Sequence, residues 1–323
     1  MKTKTIFYTI VAAMLCLLSS CEHKELCFDH NHREKLRLVF DWRYAPEANP
    51  VGMVVFFYPE DPDGETLRVD FDNIRGGEIE LPAGKYRVLT YNNDTSGVLF
   101  RGTDVFHEHT VFTRGSGLLE PMGITGGTSA MRARGSEDEP VRLCPDMMWG
   151  CADVEVTVPP ASDNTIYLYP HELTCIYTYE IRNVKNLDLA TDMSATICGM
   201  SPELRFHDEE LGKVSVTHPV EAYAATDGKT ITGRFITFGH HEENPDPHKM
   251  MLYVRTSTGK NYSFGADNPA FDVTGQVHSA PDRRRVHLII DGLEIPADGG
   301  DPMGGGFVPG TDDWQSVDID VDM

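Results

Sequence analysis

Leu81-Pro82-Ala83-Gly84-Lys85-Tyr86-Arg87-Val88-Leu89-Thr90-Tyr91-Asn92 is the stretch that decides the fold. Pro82 and Gly84 mark a tight turn, since proline presets φ and glycine tolerates positive values. Beyond the turn the side chains alternate. Tyr86 and Val88 share one face, and Arg87 and Leu89 share the other. A period of two is the mark of a strand. The same pattern runs outward in both directions. Leu36, Leu38, Phe40 and Trp42 oppose Arg37, Asp41 and Arg43. Val51 to Tyr58 is a more continuous apolar strand, closed by the turn cluster at 59–64. Leu67 to Phe71, Gly77 to Leu81, Val98 to Arg101 and His109 to Thr113 read as further short strands. In Asp153 to Val158, three valines point one way. No long stretch repeats every 3.6 residues. Short strands punctuated by Gly, Pro, Asn and Asp indicate an all-β sandwich.

A length of 323 residues suits two domains at about 150 residues each. The second half carries strand patterns at Thr165 to Tyr169, Cys175 to Ile181, Met193 to Gly199, Val214 to Thr217, Ile231 to Phe238, Met250 to Thr256, Asn261 to Phe264 and Val286 to Ile290. Residues 115–140 interrupt the pattern and read as a mobile surface loop, with Arg132 and Arg134 open to proteases. Residues 159–164 read as the interdomain linker. The expected divisions are a signal at 1–20, a tether at 21–34, an N-terminal sandwich at 35–160, a C-terminal sandwich at 161–296 and a tail at 297–323. The stretch 297–313 holds six glycines and two prolines, so it cannot pack a core. The last ten residues alternate again. Val317, Ile319 and Val321 face one way and three aspartates the other. That strand either folds back or is donated to another subunit as an added edge.

The first residues set the compartment. Lys2 and Lys4 precede an apolar run from Ile6 to Leu18, followed by Ser19, Ser20 and Cys21. This order is a secretory signal. A cysteine after small residues is a lipid attachment site, where Cys21 takes a diacylglycerol and a palmitate-type acyl chain. The run is shorter than the roughly 20 residues of a spanning helix. The chain is therefore expected to be lipid-anchored in an outer membrane. Its formal charge of -22 excludes nucleic acid as a partner and leaves anchoring to the acyl chains.

Chemistry is sparse. There are seven cysteines, and Cys144 and Cys151 are near enough in sequence to form a disulfide. Cys27, Asp29, His30 and His32 form a loose ligand-like run, as do His107-Glu108-His109 and His240-His241-Glu242-Glu243. The first run lacks the paired spacing of a structural zinc site, and in the other two spacing alone supplies two ligands where a metal needs three or four, so no metal or other cofactor is expected. No H-E-x-x-H, G-x-S-x-G or phosphate-binding glycine loop occurs. No catalytic residue is assigned, and an enzyme is not expected.

Residues 81–86, followed by Tyr91-Asn92, resemble the N-terminal domain of fimbrillin-associated anchor lipoproteins of Bacteroidetes-type bacteria. The stretches Ser194 to Leu204, Gly233 to Gly239, Asp272-Val273-Thr274, Gln276-Val277 and Ile289 to Pro296 resemble related lipoproteins without assigned function. The resemblance implies two tandem transthyretin-like (Greek-key) sandwiches in an outer-membrane lipoprotein. It implies partnership with other fimbrial subunits in pilus assembly and adhesion, through exchanged strands. A second reading is a surface protein binding glycan or host ligand, with Tyr44, Trp149 and Trp314 as candidate platform rings.

Overall fold

An alternating strand has one apolar face to hide, and pairs of sheets hide those faces against each other. The computed structural model describes residues 33–125, 130–160 and 164–297. In the first half lie β1 (Arg33–Phe40), β2 (Met53–Pro59), β3 (Leu67–Phe71), β4 (Gly76–Pro82), β5 (Gly84–Asn92), β6 (Val98–Arg101), β7 (Thr110–Thr113), β8 (Trp149–Val158), β9 (Asn164–Leu168) and β10 (His171–Glu172). The second half contributes β11 (Cys175–Lys185), β12 (Ala190–Met200), β13 (Glu203–Arg205), β14 (Glu210–Leu211), β15 (Val216–Glu221), β16 (Tyr223–Ala224), β17 (Ile231–Thr237), β18 (Met250–Thr256), β19 (Asn261–Phe264) and β20 (Arg285–Glu294). One short helix, α1 (Thr274–His278), precedes β20.

In the first sandwich β4-β1-β9 faces β10-β8-β5-β2-β3 around Leu38, Phe57, Leu81 and Val88. In the second, β16-β17-β11-β20 faces β15-β12-β18-β19 around Tyr177, Tyr179, Leu252 and Leu288. The two share a strand order. β4-β1-β9 matches β17-β11-β20, and β3-β2-β5-β8 matches β15-β12-β18-β19. Each half also has one parallel pair, β1 with β9 and β11 with β20. The all-β sandwich class expected from the sequence is the one observed.

The Pro82–Gly84 turn does not make a hairpin. β4 pairs with β1, while β5 pairs with β2 and β8, so the turn carries the chain from one sheet to the other. The Tyr86 hydroxyl donates to the Pro82 carbonyl at 2.9 Å and pins this corner. The continuous apolar run 53–58 also has a cause. One face of β2 fills the first core, and the other, with Val54, Phe56 and Tyr58, fills a separate core with Leu89 and Tyr91 of β5. That core is closed by Val111, Leu204 and Phe206, carried on or beside a third sheet, β14-β13-β7-β6. β7 pairs with β13, so strands from both halves of the chain build this sheet. The halves are joined by a packed core rather than by a free linker.

Other expectations are corrected. The strand expected over Thr165 to Tyr169 to open the second sandwich is β9, Asn164–Leu168, which pairs in parallel with β1 and completes the first. Local alternation identifies a strand but carries no information about its partner. Within the expected loop 115–140, the described residues 115–125 and 130–140 are not a bare surface loop. Leu118, Leu119 and Ala133 are buried against Cys198, Met251 and Tyr253 on the outer face of β12 and β18. The Arg132 side chain is spent on the Ser136 and Glu139 carbonyls at 3.1 and 2.6 Å. Cys144 and Cys151 do not pair. Both are free thiols, Cys144 against the second core and Cys151 within the first. Their sequence spacing spans the entry into β8, and the two side chains go to different cores. Cys21, Trp314, Val317, Ile319 and Val321 lie outside the described residues.

Candidate functional site

A strand with no neighbour on one side presents a row of unpaired backbone donors and acceptors. β9 and β20 are the equivalent edges of the two sandwiches. On β9, Ile166 and Leu168 point into the core, whereas Tyr167 is 51% exposed. Among the described residues no strand pairs with its outer side. β20 differs. The Gln276 amide donates from Nε2 to the Ile289 carbonyl at 2.8 Å, and the Ile289 N–H donates to Gln276 Oε1 at 2.8 Å. One side chain thus stands in for a neighbouring strand at the middle of β20. Among the described residues the β9 edge carries no such cap, which makes it the more available of the two.

A cleft of about 460 Å³ lies where the third sheet meets the second sandwich. Leu173, Tyr177, Leu204, Leu211 and Phe238 give it an apolar floor. Its rim is a closed ion network. Glu209 lies 2.6 Å from His171 Nε2 and 3.7 Å from Arg284, and Arg283 pairs with Glu242. Burial pushes the Glu209 carboxyl up, but the His171 hydrogen bond and the charges of His171 and Arg284 hold it below its ordinary range. Burial raises the Cys175 thiol at the wall to about 11, so it is a poor nucleophile at neutral pH. These acid–base pairs satisfy one another. The cleft is suited to receive an apolar side chain.

The sequence-flagged histidines are scattered. His109 is buried between Tyr58, at 2.6 Å from Nδ1, and Tyr91, at 3.3 Å from Nε2. Burial and the nearby Arg68 lower its pKa to about 4. His107 is exposed and does not share that site. The run 240–243 is divided. His241 approaches Glu210 at 3.8 Å, Glu242 takes Arg283, and Glu243 takes Lys213 at 3.1 Å. His240 turns toward His248 and His278. Of the candidate platform rings, Tyr44 is exposed, 6.2 Å from the Tyr169 ring, and Trp149 is half-buried. The edge cap Gln276 and the rim residue Glu209 were not singled out by sequence. A lone polar residue in a turn carries no signal until its partner is known.

Residues 20–221, more than half the chain, match the family model described as "Domain of unknown function (DUF5119)". The chain belongs to that family. This DUF5119 member is also 28% identical over 120 residues to Fim4B of Bacteroides ovatus, provisionally named a fimbrium anchoring subunit. That alignment covers 37% of this chain and 34% of the relative, so it spans about a third of each. In fold, the DUF5119 chain is similar to a provisionally assigned adhesin of Bacteroides ovatus, with a TM-score of 0.62 and 17% identity. That match covers 86% of this chain and 97% of the other. A weaker likeness, with a TM-score of 0.47 and 14% identity over 80% of this chain and 90% of the other, is to the fimbrial anchor protein Mfa2 of Porphyromonas gingivalis. The resemblance to fimbrillin-associated proteins read from the sequence agrees with the curated relative. No helix of the described residues is long and apolar enough to cross a membrane.

Proposed function

We propose that this chain is a non-catalytic subunit of fimbria assembly and adhesion, tethered to the outer membrane through lipid on Cys21. Its two sandwiches are read as tandem transthyretin-like domains. The relationship to a fimbrium anchoring subunit carries the reading. The open β9 edge supports it physically, because a sheet edge of this kind binds another chain through its backbone.

The terminal strand fits such an edge. In β9 the exposure alternates, with Ile166 and Leu168 inside and their neighbours exposed. A strand added beside β9 has one dry face and one wet face. Val317, Ile319 and Val321 supply the first, and Asp318, Asp320 and Asp322 the second. The aspartate face that ill suits a strand buried on both sides suits this position. The test is removal of residues 297–323 from the full chain, followed by binding to neighbouring fimbrial subunits. Loss of binding is expected. Binding of unchanged strength would show that the terminal strand is not donated.

A further inference from the structure

We propose that His240, His248 and His278 form a binding site for one divalent transition cation of the zinc class, at the end of the second sandwich. Each residue offers one ring nitrogen, and the three nitrogens lie within 4.8 Å of one another. The ring centroids are 4.8 to 5.1 Å apart. His240 sits in the loop after β17, His248 just before β18, and His278 at the last position of α1.

His248 is prepared as a ligand. It is 1% exposed. Its backbone is fixed on both sides, since its N–H donates to Thr274 Oγ1 at 2.8 Å and its carbonyl accepts from the Val273 N–H at 2.9 Å. Its Nδ1 donates to the Cys198 carbonyl at 3.2 Å. That bond places the proton on Nδ1 and leaves the Nε2 lone pair bare. Nε2 is buried and has no hydrogen-bond partner. A backbone carbonyl behind a histidine ligand is the usual means of fixing its tautomer and aim. Close approach of the ring to β12 requires glycine at 199, where φ is +79° and a Cβ would lie 2.7 Å from His248 Nδ1.

Two of the three rings sit where burial favours the neutral imidazole, the form that binds a metal. Burial, helped by His240 and His278, lowers the His248 pKa to about 4, and burial and His278 also lower that of His240. Asp246 and Glu242 add negative charge nearby, and Arg283 opposes it. Three imidazoles with no thiolate favour zinc and its neighbours over calcium or magnesium. Tetrahedral zinc with bonds of about 2.0–2.1 Å needs nitrogens about 3.4 Å apart, so the ring atoms close in slightly on binding. His278, exposed on a five-residue helix, is free to make that movement. The fourth position opens on the exposed side, to water. Binding would tie α1 to the loop after β17 and hold Gln276 of α1 against the β20 edge.

The full chain, stripped with a chelator, is titrated with zinc and separately with cobalt. The variants are His240→Ala, His278→Ala and a tether control, His30→Ala with His32→Ala. The expected result is one ion per chain and the strong visible absorption of four-coordinate cobalt, both retained in the tether control. His278→Ala, which removes an exposed ring, and His240→Ala should each weaken binding about a hundredfold or more with unchanged circular dichroism. Absence of stoichiometric binding overturns the proposal. So does wild-type affinity in the His240 and His278 variants, or loss of binding in the tether control.

Discussion

Phe206→Ala tests whether the two halves are one folding unit. Phe206 follows β13, in the second half of the sequence, yet its ring is 2% exposed within a core lined by β2 and β5. It stacks on Tyr91 at 4.8 Å and meets His109 edge-on at 5.1 Å. Removing a buried phenylalanine costs about 3–5 kcal/mol, from lost transfer energy and the cavity left behind. Domain stability is about 5–15 kcal/mol in total, so the loss is a large share of it. Trp42 and Trp149, two of the chain's three tryptophans, lie in the first half and report on it by fluorescence. Urea unfolding followed by fluorescence should therefore shift to a lower midpoint, although the substitution is in the other half. A tryptophan transition at the wild-type midpoint, or a loss below about 1 kcal/mol, would refute the packed junction.

Acid should destabilise the chain before its carboxylates titrate. Burial lowers the imidazoles of His109, His218 and His248 from 6.5 to about 4. Such groups contribute stability that is complete above 6.5 and lost as pH falls toward 4, by about 3 kcal/mol each at most. Thermal melts should fall between pH 6.5 and 5, and a flat profile there would contradict the burial. Gly150→Ala places a Cβ 2.2 Å from the Thr90 carbonyl and 2.9 Å from Leu173 Cδ1. About 1–3 kcal/mol should be lost in chemical denaturation, against almost none for Gly115→Ala, where nothing lies within 4 Å. Peptide mapping without reductant should find Cys144 and Cys151 unlinked, and a Cys144–Cys151 peptide would contradict their separate cores.

The sequence revealed strands because alternation is a local property. Leu36 to Trp42 and residues 84–92 announce their faces without reference to anything distant. It could not reveal partners. β9 looked like the first strand of a second domain, because nothing in Asn164–Leu168 encodes its pairing with β1. Residues 115–140 looked like loop because glycine and polar residues outnumber the few apolar ones that dock on β12 and β18. The histidine cluster was hidden for the same reason. His240 and His248 are eight positions apart and His278 lies thirty further on, a spacing that matches no metal motif. The unpaired Nε2 of His248 became visible only once the loop after β17 and α1 were brought together.

The most direct test of the fimbrial role is to isolate this chain, tagged internally at an exposed turn, from detergent-solubilised outer membrane of the bacterium that encodes it. Recovery in the membrane fraction with lipid on Cys21, and with fimbrial subunits in near-stoichiometric amounts, is expected. Recovery as an unlipidated chain, or with no fimbrial subunit attached, would contradict it.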